Sequence, residues 1–210
     1  MPLLKQFKTP ENSDVSIWLL NEDFENLKAQ ANFFNIDLRE SFYKNEQQHK
    51  EYLASRIALK NNDITFVVDE VDEKSAPVLK NSSTQISISH CKKMCAVISN
   101  SLHTVGIDVE VVTTRILNIS KRFMNSSELD YLSNNEKENL KMQFIIWSSK
   151  ESVFKKYHSL HLDFRENIFV ETFSLASTGI LILQIKADNI FIREKIFYHF
   201  FDDVVLTHTI

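Results

Sequence analysis

Three carboxylates in this sequence stand where the surrounding pattern calls for apolar residues or for a solvated edge. Two lie in Val105-Gly106-Ile107-Asp108-Val109-Glu110, and the third in Trp147-Ser148-Ser149-Lys150-Glu151-Ser152-Val153-Phe154-Lys155. Side chains alternate along a strand, so Ile107, Val109 and Val111 share one face while Asp108 and Glu110 share the other. Twice the rise per residue puts the two carboxylates ~6–7 Å apart, and Gly106 leaves room on that face for a ligand. Taken alone, the strand reads more simply as the polar edge of a half-buried sheet.

The segment around Glu151 changes that balance. At roughly 100° per residue on a helix, Phe144, Trp147, Glu151, Phe154, Lys155 and His158 fall on one side, and Glu151 sits within an aromatic stripe. A carboxylate there is costly unless it is paired or bound to a cation. An internal pair with Lys155, four residues on, is one answer. A shared metal held by Asp108, Glu110 and Glu151 accounts for all three carboxylates at once, and hard oxygen donors suit Mg2+. The chain has only two glycines, Gly106 and Gly179, so a P-loop and a dinucleotide-binding turn are both excluded. A phosphorylated ligand must therefore be held by side chains and metal. Lys150 and Lys155 beside Glu151, with Ser89 and His90 at the end of a strand, are the candidates.

The elements that would position these residues alternate in type. Strand patterns cover residues 15–20 and 64–68, with helical periodicity from Phe24 through Leu27 and Ala31 to Phe34, and over about 46–60. Residues 69–74 read as a loop. Strands at 86–89 and 94–99 are joined by a turn at Cys91-Lys92-Lys93, and 105–112 is a third. Helical pattern resumes at 116–123, 127–132 and about 137–158. Strands follow at 168–173, 180–186, 190–193, 195–200 and 204–208. Each half thus holds strands and helices, which predicts an α+β chain of two packed subdomains, residues 1–104 and 105–210.

Length and charge bound the rest. At 210 residues the chain buries a full core without staples. A net charge of −4 carries no chain-wide basic footprint for nucleic acid. Two cysteines, Cys91 and Cys95, form neither a four-cysteine zinc site nor a secreted disulfide framework, which predicts a cytoplasmic protein. There is no apolar run of signal-peptide or membrane-span length.

The three motifs together resemble the 4′-phosphopantetheinyl transferase superfamily in its longer, pseudo-duplicated form. That family's pattern is Ser-His, then Gly-(Ile/Val)-Asp-x-Glu, then Trp-x-x-Lys-Glu-(Ser/Ala)-x-x-Lys, matched here by Ser89-His90, Gly106 to Glu110 and Trp147 to Lys155. Tyr52-Leu53-Ala54-Ser55-Arg56 resembles the segment carrying a coenzyme A-binding arginine. The resemblance implies two similar α/β halves related by pseudo-twofold symmetry, with the active site in the cleft between them. It implies Mg2+-dependent transfer of the 4′-phosphopantetheine arm of coenzyme A to a serine of an apo acyl or peptidyl carrier protein, releasing 3′,5′-ADP. Asp108, Glu110 and Glu151 would hold the metal. Ser89, His90, Lys150 and Lys155 would contact coenzyme A phosphates, and Arg56 the 3′-phosphate. Glu151, Lys155 and Asp108 form the catalytic set, with Glu151 or, as an alternative, Glu128 as the base. The family's Gly-Lys-Pro is replaced by Ser75-Ala76-Pro77, which motivates a second reading as a degenerate module that binds coenzyme A or carrier without catalysis. Lys121, Arg122, Phe123 and Met124 are a candidate carrier-docking patch. A duplicated chain completes its own cleft, which predicts a monomer.

Overall fold

The computed structural model describes residues 3–43, 45–64, 70–71, 76–80, 82–187 and 190–209. The first half opens on a hairpin of β1 (Leu3–Lys8) and β2 (Asp14–Leu19), followed by α1 (Phe24–Phe33) and α2 (Glu46–Asn61). Both helices begin on a side-chain cap: Asp23 accepts from the Asn26 amide and Asn45 from the Gln48 amide, each at 2.9 Å. The short pair β3 (Glu70–Val71) and β4 (Pro77–Val78) precedes the hairpin of β5 (Gln85–His90) and β6 (Met94–Asn100). The main sheet of this half is antiparallel, in the order β1-β2-β6-β5.

The second half comprises β7 (Ile107–Val111), a 3-10 turn at Thr114–Asn118, α3 (Ser120–Phe123), α4 (Ser126–Asp130), α5 (Glu136–Lys156), β8 (Ile168–Val170), β9 (Thr178–Ala187), β10 (Ile190–Phe201) and β11 (Val204–Thr209). Its sheet is antiparallel, ordered β7-β11-β10-β9-β8.

Burial then dictates the layering. Leu53, Ala54, Ile57 and Ala58 of α2 pack on Trp18, Cys95 and Val97 of the first sheet. The opposite face of that sheet, with Val15, Ile17, Met94, Ala96 and Ile98, packs on Ile107, Val109, Val204 and Leu206 of the second. Ile145, Ile146 and Val153 of α5 cover the far side of the second sheet, against Leu181, Leu183, Ile185, Ile196 and Val205. Through the centre the order is helix, sheet, sheet, helix. β7 lies at the middle, with its apolar row toward the first sheet and Asp108 toward α5.

Gly106 makes that placement possible. A Cβ on it would lie 1.8 Å from the Ser152 carbonyl oxygen, so the start of β7 runs directly against the backbone of α5. The expectation that Gly106 leaves room for a ligand is corrected: the space belongs to the helix. Short hydroxyl side chains complete the seam. Ser152 Oγ donates to the Thr207 carbonyl at 3.0 Å, Ser148 Oγ bonds Thr207 Oγ1 at 2.9 Å, and Thr209 Oγ1 accepts from the Gly106 amide at 3.1 Å.

Several sequence expectations change. The two strands expected at 190–193 and 195–200 are one continuous β10, because Glu194 sits in the ladder opposite Leu183 and does not break it. The helix expected at 116–123 divides into the 3-10 turn and α3. β1, which precedes the first strand expected at 15–20, pairs with β2. Within the loop expected at 69–74, Glu70 and Val71 pair with Val78 and Pro77. Residues 65–68 of the expected 64–68 strand, and Lys74 and Ser75, lie outside the described residues. Each half contains a sheet and a packed helix, but the sheets have four and five strands, so the pseudo-twofold relation is not established by topology. Among the described residues no helix is long and apolar enough to cross a membrane.

Gly106→Ala should lower the free energy of unfolding by about 2–3 kcal/mol, since the helix backbone cannot yield as a flexible side chain would. Urea titration followed by far-UV circular dichroism checks this.

Candidate active site

Two serines of β5 tie the first sheet to β7. Ser87 Oγ accepts from the Ile107 amide and Ser89 Oγ from the Val109 amide, both at 3.2 Å. Ser89 Oγ also donates to Asp108 Oδ1 at 2.9 Å. From the other side, Lys155 of α5 donates to the same oxygen at 2.7 Å and to the Ile107 carbonyl at 3.0 Å. Asp108 is only 3% exposed, and its second oxygen, Oδ2, is buried with no partner. Strand and helix thereby converge on one carboxylate.

Glu110, two residues on, accepts from the Trp147 indole N–H at 3.1 Å. Burial pushes its carboxyl up, Asp108 adds to the push, and the indole and Lys155 oppose it. Burial also raises Glu151, to about 7; the charge of Asp108 raises it further, Lys155 pulls it down, and Glu110 adds repulsion. Glu110 and Glu151 both feel the charge of Asp108, and among the described residues Lys155 is the ammonium that opposes it.

The expected metal shell needs correction in one respect. Among the described residues no group of three or more His, Cys, Asp or Glu side chains is gathered tightly enough to hold a metal. Lys155 donates to Asp108 Oδ1 and Trp147 to Glu110. The donor set nevertheless fits a hard divalent cation: Asp108 Oδ2 is a buried oxygen donor without a partner, and burial together with neighbouring negative charge raises the Glu110 and Glu151 carboxyls.

Two other expected ligands are placed elsewhere. Lys150 is fully buried, and its ammonium donates to the Phe123 carbonyl, the Phe164 carbonyl and Glu128 Oε2, each at 2.8 Å. All three protons are used, so Lys150 is a structural tie and not a phosphate ligand. Glu128 is equally buried; it also accepts from the Asn125 and Val170 amides at 3.0 and 2.8 Å, which removes it as a base. The Ser89 hydroxyl is committed to Asp108 and to β7 and does not present itself to a phosphate. In the expected docking patch, Lys121 and Arg122 are exposed, but Phe123 and Met124 are core residues, each 1% exposed.

His90 and Arg56 do face open space. Arg56 lies 4.7 Å over the Tyr52 ring and donates to Ser55 Oγ at 3.0 Å; burial lowers its pKa, and its Nε has no partner. It lines a cavity of 610 Å³ with Tyr43, Gln48, Glu51 and His90. The half-exposed His90 ring has Nδ1 3.2 Å from Glu51. It also borders a second cavity, of 550 Å³, beside Glu110, Trp147 and Arg115. A third, of 390 Å³, runs from Pro77 and Ile88 to Lys155, Lys156 and His158. His90 thus lines the first two cavities and Lys155 the third. The Trp147–Glu110 bond was missed in the sequence, although both residues belong to motifs recognised there; only their contact across α5 and β7 was hidden.

The profile of the 4′-phosphopantetheinyl transferase superfamily matches residues 104–207, the segment from just before β7 into β11. The chain is 30% identical over 125 residues to the 4′-phosphopantetheinyl transferase Sfp of Bacillus subtilis (strain 168); the match covers 55% of this chain and 54% of that protein. It therefore spans about half the length of this relative.

Lys150→Met should cost about 3–5 kcal/mol, because it leaves Glu128 buried and uncompensated; the urea midpoint reads it. For Glu151, the folded pKa of about 7 lies above the ordinary 4.5. The folded state binds that proton more tightly than the unfolded chain, so stability falls as pH rises through this interval. In metal-free buffer, Glu151→Gln should be more stable than the parent at pH 8 by on the order of 2 kcal/mol, and the gap should close as pH falls to about 4.5. Urea titrations across that range measure it.

Proposed function

We propose, for a chain that belongs through residues 104–207 to the 4′-phosphopantetheinyl transferase superfamily, that it transfers the 4′-phosphopantetheine arm of coenzyme A to a serine of an apo acyl or peptidyl carrier protein. The observation that carries this reading is the convergence of Ser89, Asp108 and Lys155 at the seam between the two sheets, with Glu110 and Glu151 alongside. The active site is the cleft between residues 1–104 and 105–210, two halves we read as duplicated.

Asp108, Glu110 and Glu151 would hold a divalent cation such as Mg2+, which would screen charge on the pyrophosphate of coenzyme A. Lys155 keeps one ammonium proton beyond its bonds to Asp108 and Ile107, and it stabilises negative charge as the P–O bond to 3′,5′-ADP breaks. His90 lines the path of the phosphates, and Arg56, with no carboxylate partner among the described residues, takes the 3′-phosphate. Glu151, raised to about 7, is poised to accept the proton of the attacking serine hydroxyl as the new O–P bond forms. The protein acts as a monomer in the cytoplasm.

Incubation with coenzyme A, Mg2+ and several apo carriers should add the mass of phosphopantetheine to the carrier serine, read by intact-protein mass spectrometry. Glu151→Gln should slow transfer by at least ~100-fold. Coenzyme A binding without transfer to any carrier would replace this reading with that of a binding module.

A further inference from the structure

Lys155 is the next-to-last residue of α5, and helix ends fray unless something holds them. The usual stop is a glycine in the left-handed conformation. None is present: Tyr157 closes the helix at φ −109°, and the first left-handed residue is His161, four positions on. The backbone runs on into a 3-10 turn at His158–Leu160, and side chains tie this end to the sheet. Lys156 Nζ donates to Glu194 Oε1 at 2.8 Å, and Tyr157 Oη donates to Glu194 Oε2 at 2.6 Å. Both oxygens of one carboxylate are therefore engaged by consecutive residues of the last turn.

Glu194 is out of pattern. On β10 its inward row reads Ile192, Glu194, Ile196, Tyr198, and it is 7% exposed opposite Leu183. A carboxylate on an apolar row costs free energy unless it is fully paired. Its burial makes sense as an anchor. Lys155 and Lys156 diverge from the helix by about 100°, one toward β7 and the other toward β10. Fixing Lys156 and Tyr157 fixes the azimuth of the turn, and with it the direction of the Lys155 ammonium.

We infer that Glu194 is a positioning residue for phosphoryl transfer: through Lys156 and Tyr157 it locks the last turn of α5 so that Lys155 points at Asp108. The inference rests on the transferase reading for its kinetic consequence and on geometry alone for its structural one. A group that acts on charge developing in the transition state loses turnover when misplaced, so the effect falls on kcat more than on KM.

The test combines kinetics with hydrogen exchange in Glu194→Ala and the milder Glu194→Gln. Glu194→Ala should lower kcat about 10- to 100-fold with little change in KM for coenzyme A. Amides of residues 153–157 should exchange faster while the first turns of α5 stay protected. Glu194→Gln, which keeps an acceptor, should fall between. Replacing the pair together, Lys156→Met with Glu194→Leu, should restore most of kcat by apolar packing. Parent-like kcat in both single variants, or unchanged exchange at residues 153–157, overturns the inference. A parent protein that transfers to no carrier removes the transferase reading, while the exchange experiment still decides whether Glu194 holds the turn.

Discussion

Asp108 Oδ1 accepts from Ser89 in one half of the molecule and from Lys155 in the other. The carboxylate carrying it is almost wholly buried, and its companion oxygen is unpartnered. A buried carboxylate in that state is tolerated only where its neighbours are fixed. Much of the surrounding architecture serves that condition. Gly106 and the hydroxyls of Ser148, Ser152 and Thr207 let α5 close on β7 and β11. Ser87 and Ser89 bring the first sheet to the same strand through its amides.

Charge is distributed unequally around this point. Lys150 and Glu128 neutralise each other in full burial, and the part-buried Lys156 pairs with Glu194. Among the described residues, Lys155 is the cation bonded within the cluster of Asp108, Glu110 and Glu151. The balanced pairs are structural, and the unbalanced cluster keeps negative charge that no second ammonium among the described residues offsets. That contrast separates scaffold from site better than residue type does, since both contain lysines and glutamates.

Much of this was legible in the sequence. Strand alternation put Ile107 and Val109 on one face and Asp108 on the other, and helical phase put Glu151 on the same side as Lys155. The limits had physical causes. A wheel gives the direction in which Lys150 leaves the helix but not what stands opposite; Phe123, Glu128 and Phe164 come from segments 14 to 27 residues away. Gly106 looked like space for a ligand because sequence cannot say which neighbour uses the space. Glu194 looked like a break between two strands because its partners lie on a helix that the strand pattern does not contain. Ser89 was recognised by its motif, yet its hydroxyl is spent on the neighbouring strand.

Lys150 and Glu151 are adjacent in the chain, yet they leave α5 about 100° apart and serve different neighbours, and Lys155 and Lys156 repeat the division about one and a half turns later. Inserting or deleting one residue between these pairs rotates one pair against the other by about 100°. No single point between Lys150 and Lys155 can lose or gain a residue without unseating either the buried tie to Glu128 or the ammonium at Asp108. The segment is thus constrained in length as well as in size: the buried Ser152 and Val153 leave no room for larger side chains, and the reading frame of the helix between the pairs cannot shift.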